Sequence, residues 1–233
     1  MKKSVSMLCA GVAFAAVGVS ANAMDFGSNF YGKANVNLGY NLQGYQGDVK
    51  NLINDAKDEN ADTNKYNHGI TIGVGYNFYY KLNKKLFDKT IHPFVGLDIT
   101  GKIPVAGTKL IKETDEVRTE DEEGNAEGSE NAGNKIGEYF MFHVKAGAKL
   151  ELNKDVAISP YYMLGFNVLK YKVDSESKTT AGLSTGVGVE TLIKEKYSVA
   201  LEYRYTLNNV KGSESDLKVQ TNNMMLKLGY HFL

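Results

Sequence analysis

Residues 138–152 read Glu138-Tyr139-Phe140-Met141-Phe142-His143-Val144-Lys145-Ala146-Gly147-Ala148-Lys149-Leu150-Glu151-Leu152. From Phe140 onward every second residue is apolar: Phe140, Phe142, Val144, Ala146, Ala148, Leu150 and Leu152. His143, Lys145, Lys149 and Glu151 fall between them. A period of two is the period of a strand. If this strand crosses a bilayer, its facing is decided by magnitude. Lys145 or Lys149 turned to lipid costs ~2–4 kcal/mol each near the midplane. The opposite facing shows lipid only Phe, Val, Ala and Leu, and a slip of one residue would invert the whole strand.

The same alternation recurs at residues 30–42, 68–80, 91–103, 156–170, 181–193, 197–207 and 220–232, which makes eight strands. Each exceeds the ~9–11 residues that a tilted membrane strand needs. The joins also alternate in length. Strands four and five are joined by Asn153-Lys154-Asp155, and six and seven by Lys194-Glu195-Lys196. The second and third are joined by about 81–89, while the other joins, about 43–66, 105–135, 172–179 and 208–218, are expected to be longer. An even number of strands with short turns on one side and long loops on the other predicts an all-β, eight-stranded antiparallel up-and-down transmembrane β-barrel. Its turns are periplasmic and its long loops extracellular.

A soluble β-sandwich or lipocalin-like barrel also alternates, but with its apolar face inward. Two features favour the membrane. The polar face is rich in Gly, Ser and Asn, which suits a narrow lumen. The apolar face carries Tyr40, Tyr76, Tyr162, Tyr197, Tyr205 and Tyr230 toward strand ends, an aromatic girdle in a chain without Trp. Pro93 and Pro160 are expected at strand starts, where a lost ladder hydrogen bond is tolerated.

Residues 1–23 have the form of a secretory signal peptide. Lys2 and Lys3 precede the apolar run Met7–Val19, and Ala21-Asn22-Ala23 supplies the small residues of a cleavage site. The run is shorter than a spanning helix requires. The barrel domain is then 24–233, with 25 basic against 27 acidic residues and no Cys. That balance argues against nucleic acid as a partner, and the absence of Cys suits an oxidising compartment. The implied location is the outer membrane of a Gram-negative bacterium.

Eight strands enclose an interior that side chains just fill. The inward row includes Lys33, Asp98, Lys145, Lys149, Glu190, Glu202, Arg204 and Lys227. Strand adjacency predicts that Glu190, Glu202 and Arg204 meet. It also predicts that Lys33 and Lys227 lie side by side and need acidic partners across the lumen. The expected result is an ion-pair network that plugs the barrel. The alternative is a narrow ion pathway, a small channel with porin-like character. Enzyme chemistry is not expected. The Glu pair has no accompanying nucleophile, no Ser lies beside His68, and His68, His92, His143 and His231 lack metal-ligand spacing. No cofactor is expected.

Between Glu113 and Glu130 the chain holds nine acidic residues and one basic, with Glu120-Asp121-Glu122-Glu123 at its centre. This segment is expected to be solvated. The run Asp121–Asn125 has Gly at the wrong position for an EF-hand. Asn51-Leu52-Ile53-Asn54 is expected to form a helical turn.

The phrases His92-Pro93-Phe94-Val95-Gly96, Gly73-Val74-Gly75-Tyr76-Asn77-Phe78, Glu202-Tyr203-Arg204-Tyr205 and Gly229-Tyr230-His231-Phe232 resemble small outer-membrane barrels of the opacity-protein type. That resemblance implies a monomeric surface antigen or adhesin, or an envelope-stabilising protein, with outer-membrane lipids and lipopolysaccharide around it. It also implies a host or environmental ligand at the loops. Gly229, Tyr230 and Phe232 match the C-terminal signal read by the barrel-assembly machinery, although one residue, Leu233, follows the terminal aromatic.

Overall fold

Alternation along the chain becomes alternation across a wall in the computed structural model, which describes residues 29–51, 54, 62–63, 66–82, 85–86, 88–106, 111–112, 135–173, 176–211 and 216–232. Eight long strands form the wall: β1 (Phe30–Gly47), β2 (Tyr66–Tyr80), β3 (Lys89–Ala106), β4 (Lys135–Glu151), β5 (Val156–Val173), β6 (Glu176–Ile193), β7 (Tyr197–Lys211) and β8 (Asp216–Phe232). Each pairs antiparallel with its sequence neighbours. Pairing of β1 with β8, from Ala34↔Phe232 to Gly47↔Val219, closes the sheet on itself. Closure matters in lipid because it leaves no edge of unpaired N–H and C=O groups.

The facing deduced from β4 holds around the barrel. Leu38, Val95, Leu164, Val187, Leu201 and Leu228 are exposed on the outer wall, while Lys145, Asp98, Glu202 and Arg204 are buried inside it. Among the girdle residues, Tyr40, Tyr162, Tyr197 and Tyr230 are exposed. Tyr76 and Tyr205 are only half-exposed. Polar groups on the outer wall pair with one another: the Tyr162 and Thr185 hydroxyls lie 2.6 Å apart, and Tyr40 Oη is 2.8 Å from His68 Nδ1. Leu201 sits midway along the apolar row Tyr197–Leu207 and is 54% exposed. Leu201→Arg should therefore cost ~2–4 kcal/mol, read as a lower urea midpoint for the folded barrel in lipid vesicles. An unchanged midpoint would mean that this face does not meet lipid.

One expectation needs correction. The joins at 172–179 and 208–218 shrink to residues 174–175 and 212–215, because β5–β6 and β7–β8 pair onward to Val173↔Glu176 and Lys211↔Asp216. Hydrophobic alternation stops where the lipid stops, but a backbone ladder does not need apolar side chains. Strands of 18 residues tilted as in small barrels rise roughly 45 Å, well beyond the ~25 Å apolar band. Pro93 and Pro160 lie near their strand starts as read, each the fifth residue of its strand. The ladder gives way there: β2–β3 pairing ends at Tyr79↔Phe94, and β4–β5 pairing is interrupted between Gly147↔Tyr161 and Leu150↔Ile158. Residues 48–51 and 54 are helical, so Asn51 and Asn54 of the expected turn are helical as read and the helix starts earlier, at Asp48. Leu52, Ile53, the segment 1–23 and the acidic run Glu120–Glu123 lie outside the described residues.

Candidate functional site

Among the described residues the lumen holds two charge clusters. The central one is assembled from four strands. Asp98 of β3 faces three cations: Arg204 Nη2 and Lys227 Nζ at 3.3 Å and Lys145 Nζ at 3.5 Å. Thr100 donates to the same carboxylate at 2.7 Å. Glu202 pairs with Arg204 two residues along β7 and with Lys227 at 3.1 Å, and accepts a hydrogen bond from the Tyr161 hydroxyl at 2.7 Å. Arg204 is fully buried and also reaches Met141 Sδ at 3.2 Å. Gly188 makes room for Tyr161, since a Cβ there would lie 2.5 Å from the tyrosine ring. A pocket beside this cluster, between Asp98, Lys145, Glu202 and Lys227, has a volume of about 10 Å³, which is at most one water.

Glu190 is not drawn to Arg204 as strand adjacency predicts. It lies opposite Ala200, one row nearer the periplasmic end, and bonds His231 Nε2 at 3.1 Å. Nor are Lys33 and Lys227 side by side. Lys227 is opposite Gly39, six residues and about 20 Å along β1 from Lys33. Antiparallel partners are set by register, and staggered strands carry equivalent-looking residues to different heights.

Lys33 belongs instead to a second cluster at the periplasmic mouth, where it pairs with Glu195. Lys149 donates to Glu195 at 2.8 Å and to the Tyr31 hydroxyl at 3.2 Å, and lies 3.2 Å from Glu151. His92 Nε2 is 3.0 Å from Glu151. The sequence reading missed Glu195 by treating Lys194-Glu195-Lys196 as a plain turn. Lys194 and Glu195 have φ of 51° and 59°, and Lys196 N donates to Ile193 O at 3.1 Å. This is a tight hairpin turn of the kind that prefers Asn-Gly. Left-handed backbone at two non-glycine residues persists only where the surroundings over-determine it, and the two lysines meeting Glu195 supply that. The signal was available: a Lys-Glu pair in a turn that asks for Asn-Gly.

Partial burial raises the Glu195 carboxyl, but the hydrogen bonds and charges of Lys149 and Lys33 outweigh it and hold the group at about 2. A depressed carboxylate stabilises the fold above its unfolded value of 4.5, and that contribution falls away as pH drops toward about 2. The Glu195 side-chain carbon should therefore titrate by NMR near the depressed value. Lys33→Ala with Lys149→Ala should return it to the ordinary range. A wild-type midpoint near 4.5 would mean that Lys33 and Lys149 do not hold the Glu195 carboxylate.

Two histidines contact serines in the lumen. His143 Nε2 is 2.8 Å from Ser184 Oγ. His231 uses the same nitrogen for Ser198 Oγ and for Glu190, both at 3.1 Å. A triad needs the carboxylate on one ring nitrogen and the hydroxyl on the other, and neither pair has that order. Among the described residues no group of three or more His, Cys, Asp or Glu is placed to hold a metal ion. At the chain's end Tyr230 packs edge-on to Tyr197 and Phe232 at 5.6 and 5.3 Å on the outer wall. Gly229 lies opposite Asn37 and Ser198.

No curated protein matches the chain. Among solved structures it is similar to Ail, the attachment invasion locus protein of Yersinia pestis, crystallised with the heparin analogue sucrose octasulfate. Identity is 16%, covering 86% of this chain and 99% of that one, with a TM-score of 0.41. It is similar to Neisserial surface protein A, at 12% identity over 85% and 97%, TM-score 0.42. It is also similar to the N-terminal β-barrel domain of Pseudomonas aeruginosa OprF, at 11% identity over 85% and 97%, TM-score 0.37. The family model for the outer membrane protein beta-barrel domain matches residues 9–232. With the closed eight-stranded wall and its apolar exterior, this makes the chain a member of the outer-membrane β-barrel family, a protein of the Gram-negative outer membrane.

Proposed function

We propose that the chain is a monomeric surface protein that displays its extracellular loops as an adhesin or surface antigen, with a plugged rather than conducting lumen. The observation that carries this reading is the central cluster, where three buried cations and two buried carboxylates stand beside a pocket of about 10 Å³. Function on such a scaffold belongs to the loops, and the strands lift them above the membrane. The acidic segment Glu120–Glu123 would then meet a basic ligand on a host or environmental surface. Residues 1–23 would direct export and be removed after Ala23, and Gly229, Tyr230 and Phe232 would be read by the assembly machinery. The test is cell adhesion: bacteria displaying the barrel should bind epithelial or matrix-coated surfaces, and deletion of residues 113–130 should reduce binding while folding survives. Equal binding by the deletion, together with current steps from wild type in planar bilayers, would favour the channel instead.

A further inference from the structure

A cavity of about 430 Å³ opens at the periplasmic mouth of the lumen, within the size range of small-molecule sites. Its charges do not balance. Lys81, Lys149 and Lys154 line it together with Glu151 and Glu195. Lys149 is committed to both carboxylates, and Glu195 also pairs with Lys33. Lys81, just after β2, and Lys154, in the β4–β5 turn, are exposed and make no ion pair among the described residues. Asp155 follows Lys154 in the chain but is not paired with it. The ammonium groups of Lys33, Lys81 and Lys149 stand 5.4–6.0 Å from the centre of one ring, Tyr31. That ring is stacked on Tyr79 at 4.9 Å, which holds it in place. With Lys154, four lysines meet two carboxylates at this mouth, an excess of two positive charges. A concave site of one sign draws in the opposite sign.

We propose that this mouth binds a small phosphorylated polyol, with its phosphate on Lys81 and Lys154 and its hydroxyls on Glu151 and Asn153. The residues that line the cavity include lysines and no arginine. A compact ammonium suits a phosphate as a point charge, whereas a planar carboxylate is best met by the fork of an arginine. The cavity is also larger than a phosphate alone, so the rest of the ligand must find partners. Glu151 meets Lys149 and His92 through one oxygen, Oε1, and its Oε2 is left to accept a hydroxyl. Asn153 Oδ1 accepts the backbone N–H groups of Asp155 and Val156 at 2.8 and 2.9 Å. Those bonds fix the amide and leave its Nδ2 to donate. Tyr31, His92 and Lys149 belong to the inward rows of their strands, so the cavity lies inside the wall. A phospholipid headgroup stands outside that wall, and the ligand therefore comes from solution in the periplasm. The inference rests on the facing of the strands, and it stands or falls separately from adhesion at the loops.

The test is an NMR titration of the refolded barrel in phosphatidylcholine nanodiscs, in phosphate-free buffer at constant ionic strength. Glycerol 3-phosphate should shift the ring resonances of Tyr31 and His92 saturably, with one molecule bound per barrel. Inorganic phosphate should bind more weakly, because it lacks hydroxyls on a carbon body, and glycerol should shift nothing. Lys81→Gln and Lys154→Gln should each weaken binding about threefold to fivefold, the upper range for one exposed ion pair. The double variant should weaken it about tenfold or more. Lys196→Gln, on the neighbouring turn and outside the lining of the cavity, is the control and should bind as wild type does. All these side chains are exposed, so every variant should keep the heat-modifiable gel shift of a folded barrel. Unchanged affinity in the double variant, or an equal loss in Lys196→Gln, overturns the proposal. So does the same set of shifts from nanodiscs doped with phosphatidylglycerol, which would place the phosphate site on the lipid side.

Discussion

Exchanging Asp98 for asparagine is expected to cost about 3–5 kcal/mol, the range for stranding a charge whose buried partner is removed, and to lower the urea midpoint of the refolded barrel accordingly. The shape of the side chain is kept, so the effect is electrostatic. Among the described residues Asp98 is the one group that contacts Lys145, Arg204 and Lys227 together, at 3.3–3.5 Å and almost fully buried. Without its charge, three cations are left with Glu202 in the central cluster. Glu190 is engaged with His231 one row away. The pocket of about 10 Å³ beside it admits at most one water, which does not replace the lost charge. A second substitution gives the sign check: Lys227→Met added to Asp98→Asn removes one stranded cation and should recover part of the loss. If the single variant were as stable as wild type, or the double variant weaker than the single, the cluster would not be the keystone of the lumen.

The facing of every strand was legible because lipid penalises error heavily. Lys145 and Lys149 alone decide β4, and the same cost acts on each strand in turn. Closure was legible from an even count of strands and from turns that alternate with longer joins. The partners of individual charges were harder to read. Period two says that Lys33, Lys227, Glu190 and Arg204 point inward, but their height in the barrel depends on the stagger between strands. That stagger is set by pairings such as Gly39↔Lys227 and Ala200↔Glu190, which no local pattern states. Arg204 and Glu202 were paired correctly because they share one strand two residues apart, where stagger plays no part. Glu195 was missed for a different reason. It belongs to no strand face, and its direction follows from a left-handed turn. The extension of β5–β6 and β7–β8 beyond the apolar band was hidden because polar residues pair their backbones as well as apolar ones do.

Arg204→Ala is expected to act on passage rather than on folding. Removing this cation leaves Asp98 and Glu202 against Lys145 and Lys227, a balanced set. The fold should therefore stand at a cost of about 1–3 kcal/mol, ordinary for a substitution and below that of Asp98→Asn. Volume is another matter. Arg204 is the largest of the fully buried side chains and spans the lumen between Glu202, Asp98 and Met141. Truncation opens a cavity lined by charged and polar groups, which water fills. Planar bilayers should then give resolved current steps where wild type gives a flat trace. Arg204→Met separates the two roles of the guanidinium. It keeps most of the length and removes the charge. If bulk makes the plug, Arg204→Met stays closed while Arg204→Ala conducts. If the buried positive charge makes the barrier, both conduct. Flat traces from both variants, with the gel shift of a folded barrel intact, would place the block elsewhere. The periplasmic mouth, where Glu195 bridges Lys33 and Lys149, would then be the next constriction to open, by Glu195→Gly.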